Sequence, residues 1–348
     1  MGKRLKRLVV FLLTMVMALG LLSGCGTAGA QKGTGKIKIG VTLYDQYDTF
    51  ISQLMECFTS LAQENVEVVV YNVSNSQQTQ NDQVKKMIGD GCNVICVNLV
   101  DRTDPTAVID AARKADVPII FFNRELVEAD MGRWNKLYYV GANAIESGVL
   151  EGNLAAEACL KDGSADKNGD GVIQFVVLEG EAGHQDSIVR TEYSVDTLIE
   201  AGVEVDKLGY AIANWNRAQA QTKMEQLIEQ NGDEIELVLS NNDDMALGAI
   251  DAYEAAGIDR DEWPVFFGID GTDVGLEAVV EGKLRGTVYN DKEGQAGAMY
   301  KLAITLARGG NIADLADEYE VEEGKYIRLH YFRVTGENVE EFMNREVS

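Results

Sequence analysis

Short apolar segments alternate with amphipathic stretches along the chain from residue 37 onwards. Each apolar segment is seven to nine residues long and rich in valine and isoleucine, and the stretches between them repeat apolar residues at helical spacing, as in 145–161, 216–230 and 244–256. Continuous apolar strands of this length are typical of parallel sheets, which helices cover on both faces. The alternation therefore predicts an α/β fold. The apolar segments are 37–43, 66–73, 93–100, 117–123, 172–180, 235–242 and 264–270.

A weak internal repeat divides this pattern into two similar halves. In each half an apolar strand ends in an asparagine, Asn98 or Asn242, and some twenty residues later a proline, Pro118 or Pro264, opens another apolar strand. Two similar doubly wound parallel-sheet lobes would explain the repeat. Open parallel sheets bind ligands at the carboxyl ends of their strands, so the polar residues there predict a cleft between the lobes. These strand-end residues are Asn98, Asp101, Asn123, Asn242, Asp243 and Asp270.

The N-terminal segment has the organisation of a bacterial export signal. Four basic residues lie within 3–7, and an apolar run over 8–22 follows that is too short for a comfortable membrane span. The run ends in Leu-Ser-Gly-Cys, which resembles the bacterial lipobox, whose cysteine, here Cys25, is diacylated. The alternative is an ordinary signal peptide with a chance cysteine. We therefore expect a lipoprotein signal peptide over 1–24, a flexible tether over 25–36, and a lipid anchor at the extracellular face of the cell membrane.

The charge balance and the residue inventory argue against several classes of function. The formal net charge is −25, with 56 acidic against 31 basic residues. Nucleic acid is therefore not expected as a partner, because phosphate binding needs positive patches. No glycine-rich phosphate loop follows a strand, no GxSxG motif occurs, and only two histidines are available for a Ser–His–Asp triad. Composition leaves open a pair of carboxylates for glycoside hydrolysis.

A loop over 166–174 has the spacing of a calcium-binding loop. Oxygen-bearing side chains stand at positions 1, 3, 5 and 9, a glycine at position 6 permits the sharp turn, and Val172 offers its backbone carbonyl at position 7. Position 12 should be a bidentate glutamate but is Val177, so a calcium ion would need a carboxylate from elsewhere in the chain. The alternative is a polar turn before a strand. The side-chain ligands within the loop would be Asp166, Asn168, Asp170 and Gln174.

Two further loops combine polar and aromatic residues. His184, Asp186 and Arg190 lie around a loop and the first turns of a helix after the fifth apolar segment, where they could bind a ligand or could merely cap the helix and pair along it. Phe50 follows the first strand and Trp215 lies in a later loop; each could cover a ligand or pack in the core. The residue pattern leaves both interpretations open.

Nine segments of the chain resemble the periplasmic galactose/glucose-binding proteins, the substrate-binding subunits of a sugar importer. They read IGVTLYDQYDTF, QNDQVKKMI, NLVD, VPIIFFNRE, YYVGANAIESG, DKNGDGVIQFVVLEGEAGHQD, SNNDDMALGA, FFGIDG and GTVYND, in this order. The resemblance covers about 37–345. It implies a type I periplasmic binding protein fold, with two lobes joined by a hinge. It also implies a monomer that captures a sugar by hinge closure and delivers it to an ABC permease, without catalysis.

The resemblance also implies a sugar site and the missing calcium ligand. Phe50 and Trp215 would sandwich the apolar faces of a pyranose ring, D-galactose or D-glucose, while charged and amide groups bond its belt of hydroxyls. The carboxylate that completes the structural calcium site would be Glu236, six residues before Asn242. The other residues of the implied sugar site are Asp48, Asn98, His184, Asp186, Arg190, Asn242, Asp270 and Asn290.

We expect each lobe to combine separate stretches of chain, with crossings near 124, 291 and 328. The N-terminal lobe would comprise 37–123 and 292–328, and the C-terminal lobe, which holds the calcium loop, would comprise 124–291 and 329–348.

Three alternatives remain open beside the hexose-binding protein. The first is a secreted glycosidase that uses two of Asp48, Asp186 and Asp270. The second is a sugar-responsive repressor core of the same fold, which would need an N-terminal helix-turn-helix where this chain has a signal segment. The third is the same class of binding protein with a pentose or another sugar as its ligand.

Overall fold

A computed structural model of the chain describes residues 36–161, 163 and 165–346. The predicted signal peptide, Cys25 and all of the tether except Lys36 lie outside these residues. The described part contains thirteen strands and eleven α-helices, which alternate along most of its length. None of its helices is long and apolar enough to cross a membrane.

The strands are β1 (Ile37–Leu43), β2 (Val66–Asn72), β3 (Val94–Val97), β4 (Ile119–Phe122), β5 (Leu137–Ala142), β6 (Ile173–Glu179), β7 (Val205–Ile212), β8 (Leu237–Ser240), β9 (Val265–Asp270), β10 (Gly286–Asn290), β11 (Val321–Glu322), β12 (Tyr326–Leu329) and β13 (Tyr331–Thr335). The helices are α1 (Thr49–Ser60), α2 (Gln77–Gly89), α3 (Thr106–Ala115), α4 (Glu128–Met131), α5 (Ala144–Leu160), α6 (Gln185–Glu200), α7 (Arg217–Asn231), α8 (Asp243–Ala256), α9 (Asp273–Val280), α10 (Lys292–Ala307) and α11 (Val339–Met343). Short 3₁₀ turns occur at Gly232–Glu234, Arg260–Glu262 and Ile312–Leu315.

Two sheets, one in each lobe, share the same doubly wound order. The sheet of lobe 1 runs β2-β1-β3-β4-β5-β12-β11, and the sheet of lobe 2 runs β7-β6-β8-β9-β10-β13. Neighbouring strands are parallel except at one edge of each sheet, where β11 and β13 run antiparallel to β12 and β10. This architecture confirms the predicted α/β fold with two similar doubly wound lobes.

The central strands are short apolar runs because helices cover both of their faces. All four residues of β3, β4 and β8 are buried. In lobe 1, α1 and α10 cover one face of the sheet with Phe58, Met299 and Leu302, while α2 and α3 cover the other with Val84 and Val108. Lobe 2 has the same three layers, with α7 and α8 on one face and α5 and α6 on the other. The layers leave the carboxyl ends of the strands open for loops that carry polar residues.

The chain passes between the lobes three times, and the first crossing lies later than predicted. β5 pairs in parallel with β4, so 124–142 belongs to lobe 1 and the predicted crossing at 124 is wrong. The sequence pattern did not predict β5, because Tyr138 and Tyr139 interrupt its aliphatic run. α5 then packs on α6 in lobe 2, the chain returns at 291 before α10 packs on α1, and it crosses again at 330 between β12 and β13.

Candidate functional site

The carboxyl ends of the parallel strands in both lobes face one shared cavity. The cavity is narrow: the centre of a water molecule can occupy about 30 Å³ of it. Aromatic, amide, carboxylate and guanidinium groups all contribute to its wall. The lining residues are Tyr44, Asp48, Phe50, Asn123, Arg124, His184, Asp186, Arg190, Trp215, Asn242 and Asp270.

Asp48 and Phe50 enter the cavity at the start of α1. Asp48 is the N-cap of this helix, and its Oδ1 accepts from the backbone N–H of Ile51 at 2.9 Å. Its other oxygen accepts a short hydrogen bond from the Tyr44 hydroxyl. Burial raises the pKa of Asp48, against the effect of these hydrogen bonds. Phe50 is only 4% exposed, so the loop offers an apolar ring beside a fixed carboxyl group.

Asn123 and Arg124 come directly after β4, also in lobe 1. Asn123 adopts a left-handed backbone conformation with φ of 59°, and its carbonyl accepts from the Tyr139 hydroxyl at 2.9 Å. The Arg124 guanidinium carbon lies 3.7 Å from the centre of the Tyr44 ring. The turn after β4 therefore directs an amide and a guanidinium into the cavity.

His184 faces them from the N-terminus of α6 in lobe 2. Its Nδ1 accepts from the backbone N–H of Asp186 at 3.1 Å, so the neutral ring carries its proton on Nε2. Burial lowers the pKa of His184 well below 6.5, and the positive charges of Arg124 and Arg190 lower it further. The ring is consequently a neutral donor at pH 7.

Arg190 holds two carboxyl groups on the same side of the cavity. Its Nη1 lies 3.3 Å from Asp270 Oδ1, and its Nη2 lies 3.8 Å from Asp186 Oδ2. Nη1 also donates to the Asn241 carbonyl at 2.7 Å. Burial raises the pKa of both Asp186 and Asp270, and Arg190 opposes the rise. Such charge-assisted groups with fixed geometry are suited to hydroxyl recognition.

Trp215 and Asn242 complete the wall in lobe 2. Trp215 lies in a tight turn where it and Asn214 have φ of 63° and 51°, and its ring is 5.2 Å from that of His184 in an edge-on arrangement. Gly180 permits this close packing, because a Cβ there would overlap the indole. Asn242 caps α8 through Oδ1 and donates from Nδ2 to the Trp215 carbonyl at 3.3 Å. The indole is therefore held firmly at the cavity.

Comparison with known proteins identifies the fold family. A protein-family model described as a periplasmic binding protein domain matches residues 39–311 of the sequence. The chain belongs to the periplasmic binding protein family. It is 32% identical over 333 residues to the D-galactose/methyl-galactoside binding periplasmic protein of Haemophilus influenzae, which covers 95% of this chain and 97% of that protein. It is 30% identical to a xylitol-binding protein of Mycolicibacterium smegmatis, over 85% of this chain and 79% of that protein.

A solved structure agrees with this assignment. The crystal structure of an ABC transporter solute binding protein from Bacillus halodurans C-125 with bound myo-inositol is 30% identical to this chain and superposes with a TM-score of 0.74, over 89% of this chain and 98% of that one. Members of the family are substrate-binding proteins of transporters. Membership therefore confirms the resemblance found in the sequence and the prediction that this protein is not an enzyme, which removes the glycosidase alternative.

Two of the residues predicted for the sugar site do not line the cavity of this periplasmic binding protein. Asn98 is fully buried behind it and donates from Nδ2 to Asn123 Oδ1 at 3.1 Å. Asn290 lies behind Asp270, to which its Nδ2 donates at 3.4 Å, and accepts from Gln295 at 2.6 Å. Both residues hydrogen-bond to residues of the cavity wall. The other eight predicted residues lie together in its wall, and Asp101 and Asp243 are not part of it.

Asn98 has its structural counterpart in Asn241, one residue before the asparagine that the sequence repeat suggested. The backbone N–H of Asn98 donates to the Thr42 carbonyl, and its Oδ1 accepts from the Tyr44 N–H. Asn241 makes the equivalent bonds in lobe 2, to the carbonyl of Leu178 and from the N–H of Gly180. Each asparagine joins a central strand to the strand beside it. The position therefore makes the same structural contacts in both lobes.

Three cavity residues were absent from the predicted site: Tyr44, Asn123 and Arg124. Asn123 carried a signal, since it ends the apolar segment 117–123 and stands where parallel strands bind ligands. Arg124 is the next residue in the same turn. Tyr44 carried no comparable signal, because its place under the Arg124 guanidinium depends on tertiary packing.

The predicted calcium loop wraps around Glu236, which is 1% exposed. Glu236 Oε1 accepts from the N–H groups of Lys167 and Asn168 at 2.7 and 3.1 Å, and Oε2 accepts from that of Gln174 at 3.2 Å. Within the loop, Asp166 accepts from the N–H groups at positions 4 and 6, and Asp170 accepts from that at position 7. The tertiary fold therefore brings a carboxylate to the loop that lacks its own at position 12.

The donor set of this loop suits a hard cation. It combines the carboxylates of Asp166, Asp170 and Glu236 with side-chain amide oxygens and a backbone carbonyl, which are the oxygen ligands that calcium prefers. Across the described ranges, no group of three or more histidine, cysteine, aspartate or glutamate side chains is arranged to hold a metal ion. The amide oxygens of Asn168 and Gln174 and the carbonyl of Val172 would therefore be needed as ligands.

Proposed function

We propose that this protein captures D-galactose or D-glucose between its lobes and delivers it to an ABC permease. The observation that carries the proposal is the composition of the cavity wall, in which an aromatic ring from each lobe, Phe50 and Trp215, accompanies a set of charged and amide groups. A pyranose has apolar C–H faces and an equatorial belt of hydroxyls, so rings can cover its faces while carboxylates and guanidinium groups bond its edge. The galactoside-binding relative from Haemophilus influenzae supports a hexose ligand.

The two epimers differ only at the C4 hydroxyl, so the aromatic residues cannot distinguish them. The resemblance assigns this hydroxyl to the carboxylate of Asp48. A carboxylate offers lone pairs in several directions and can accept from an axial or an equatorial hydroxyl. We therefore expect both sugars to bind with affinities within about tenfold of each other.

Calorimetry with a panel of sugars tests this proposal. D-galactose and D-glucose should bind, and Asp48→Ala should weaken both by about 1.5–3 kcal/mol through loss of a charge-assisted bond. Trp215→Ala should weaken both without changing their ratio. Asp101→Ala is the matched control, because this strand-end carboxylate lies outside the cavity. A wild-type protein that ignores both hexoses but binds ribose or myo-inositol would overturn the ligand assignment and leave the family intact.

A structural calcium ion in the loop around Glu236 is part of the proposal. The donor set supports it, because the buried carboxylate of Glu236 is positioned against the loop backbone. When bound, the ion would hold the segment before β6 in place through the oxygens of the loop. It would contribute to stability and not to sugar recognition, since none of these residues lines the cavity.

Lipid anchoring at Cys25 is proposed from the sequence. The lipobox-like tetrad after the apolar run supports it, and two acyl chains give stable membrane attachment. The protein would then work at the extracellular face of the cell membrane. Replacing Cys25 with Ala and fractionating cells tests this; a variant that is still processed and fully membrane-bound would contradict it.

A further inference from the structure

The tripeptide Asn-Gly-Asp occurs twice in the chain, at 168–170 and at 231–233. An asparagine that precedes a glycine loses its side-chain amide most readily, because glycine has no side chain to hinder attack by its backbone nitrogen. The two copies have the same local sequence. Any difference in their reactivity therefore comes from the structure around them.

The first copy, in the loop over 166–174, is surrounded by the groups that such a reaction needs. The backbone N–H of Gly169 donates to Asp166 Oδ1 at 2.8 Å, which is within reach for proton transfer to a base. Asn168 Oδ1 accepts from the backbone N–H of Asp170 at 2.8 Å, and that N–H can stabilise the charge that develops on the oxygen during attack. Asn168 and Gly169 are both exposed, so water reaches the site.

The second copy lacks this arrangement. Asn231 ends α7, its Nδ2 donates to the Leu227 carbonyl at 2.9 Å, and its Oδ1 does not cap the 3₁₀ turn that follows. The backbone N–H of Gly232 donates to the Ile228 carbonyl, where the first copy has a carboxylate. Helical hydrogen bonds thus hold both the amide and the attacking nitrogen. The second copy is therefore a matched control for the first within the same molecule.

We propose that Asn168 is a site of spontaneous deamidation whenever the loop is free of calcium. The Gly169 nitrogen forms a bond to Asn168 Cγ, and its proton passes to Asp166. The Cγ–Nδ2 bond of Asn168 then breaks, and Nδ2 leaves as ammonia with the proton that Asp166 returns. The product is a succinimide ring, which water opens to aspartate or isoaspartate at position 168.

The dependence on calcium rests on the proposed function, which makes Asp166 and Asn168 ligands of the ion. With calcium bound, the Asp166 carboxylate is directed at the ion and the Asn168 amide is fixed toward the interior of the loop, so neither is free to react. The isoaspartyl product has an extra backbone atom between positions 3 and 4 of the loop, which destroys the ligand spacing. Loss of calcium then becomes irreversible.

Ageing of the purified protein in calcium and in chelator, followed by peptide mapping with mass spectrometry, tests the inference. In chelator, after verified metal removal, Asn168 should be converted about tenfold faster than Asn231. Asp166→Asn should slow conversion of Asn168 by about tenfold and leave that of Asn231 unchanged. In calcium, the wild-type protein should convert Asn168 no faster than Asn231.

Comparable rates at Asn168 and Asn231 in chelator would overturn the inference. An Asp166→Asn variant that is folded, as shown by its melting curve, and reacts as fast as wild type would also overturn it. The comparison within the wild-type protein needs no substitution, so it holds even if the variant does not fold. Fast conversion of Asn168 that calcium fails to slow would support the modification site and contradict the proposed calcium ion, so the two failures are distinct.

Discussion

Glu151 is a fully buried carboxyl group in lobe 2 with only half of its hydrogen-bonding capacity used. Its Oε1 accepts from the N–H of Ser240 at 3.1 Å, and its Oε2 has no hydrogen-bond partner among the described residues. Burial raises its pKa from 4.5 to about 8. The protonated form is therefore the one that the folded lobe accommodates at neutral pH.

This shift predicts a stability that falls as pH rises. The unfolded chain releases the Glu151 proton near pH 4.5 and the folded protein releases it near pH 8, so over that interval the unfolded state binds fewer protons and the free energy of unfolding decreases. Glu151→Gln removes this contribution. Urea unfolding should show little difference between variant and wild type at pH 5 and a more stable variant at pH 8. Parallel pH profiles would show that Glu151 is not the group responsible.

Substitutions at Asn98 and Asn123 should differ in their effects on the stability of the protein and on its affinity for the sugar. Asn98 is buried and bonded to Tyr44, Phe122 and Asn123, so Asn98→Ala should lower the free energy of unfolding by about 1–3 kcal/mol. Asn123→Gly keeps the left-handed backbone and removes only the amide from the cavity wall. It should weaken hexose binding and lower the melting temperature less than Asn98→Ala does, because it removes only one of the hydrogen bonds of Asn98, that to Asn123 Oδ1. Equal effects of the two substitutions on affinity would contradict the distinction drawn between them.

At the scale of single residues, the sequence predicts well which residues lie at strand ends. It predicts poorly which residue of one lobe corresponds to which residue of the other. Asp270 ends an apolar run, and Asp48 and His184 lie in the loops that follow two others, so the edge of a parallel sheet was the natural place for them. A repeat aligned by strand-end asparagines matched Asn98 to Asn242, one residue beyond its structural counterpart Asn241. Such a shift changes which side of the strand end a side chain faces, and only the backbone hydrogen bonds reveal it.

At the scale of elements, continuous aliphatic runs were predictable, and buried strands that contain tyrosine were not. β3, β4 and β8 are buried on both faces and, apart from Cys96 and Ser240, consist of aliphatic or phenylalanine side chains, so their pattern is unambiguous. β5 and β10 include tyrosines, whose hydroxyls find partners in the turns beside them: Tyr139 bonds the Asn123 carbonyl and Tyr289 bonds Glu293. β5 sets the first lobe boundary, which is why that boundary and not the fold class was misjudged.

The loop before β6 supplies a prediction about an element. If calcium binds only the folded loop, it stabilises lobe 2 by about 2.7 kcal/mol at a concentration one hundred times its dissociation constant. Chelation should then lower the melting temperature, and Glu236→Ala should remove that sensitivity. The exposed neighbour Glu234 provides the control, since Glu234→Ala should leave the calcium response unchanged. Identical melting curves with and without chelator, after verified metal removal, would count against the site.

At the scale of the whole molecule, hydrogen bonds across the cleft hold the two lobes together. Thr49 Oγ1 at the start of α1 donates to Asp244 Oδ2 on α8 at 2.6 Å, and Gln53 accepts from the N–H of Asp273. Burial raises the pKa of Asp244, and the Thr49 bond opposes that rise. These contacts exist only while the lobes are together, so they contribute to the closed state and not to either lobe alone.

Removing one such contact should weaken sugar binding without touching the cavity. Thr49→Val keeps the shape of the side chain but loses the hydroxyl, and it should weaken hexose binding by about 0.5–1.5 kcal/mol, mainly through faster dissociation. Thr59→Val on the same helix is the control, because the Thr59 hydroxyl bonds only within α1. Stopped-flow dissociation rates compare the two. An unchanged rate in Thr49→Val would show that this bond does not contribute to closure.

The three crossings of the chain also determine the order in which the lobes can be completed during synthesis. Lobe 1 begins the described part of the chain, yet its core includes Met299 and Leu302 of α10, and its sheet waits for β12 at Tyr326–Leu329. The continuous part of lobe 2, from 143 to 291, precedes both in the order of translation. The lobe that starts first thus stays incomplete until β12 emerges, and lobe 2 is completed only by β13, whose Val334 lies in its core. A nascent chain therefore carries an unfinished hydrophobic face until its final segments emerge.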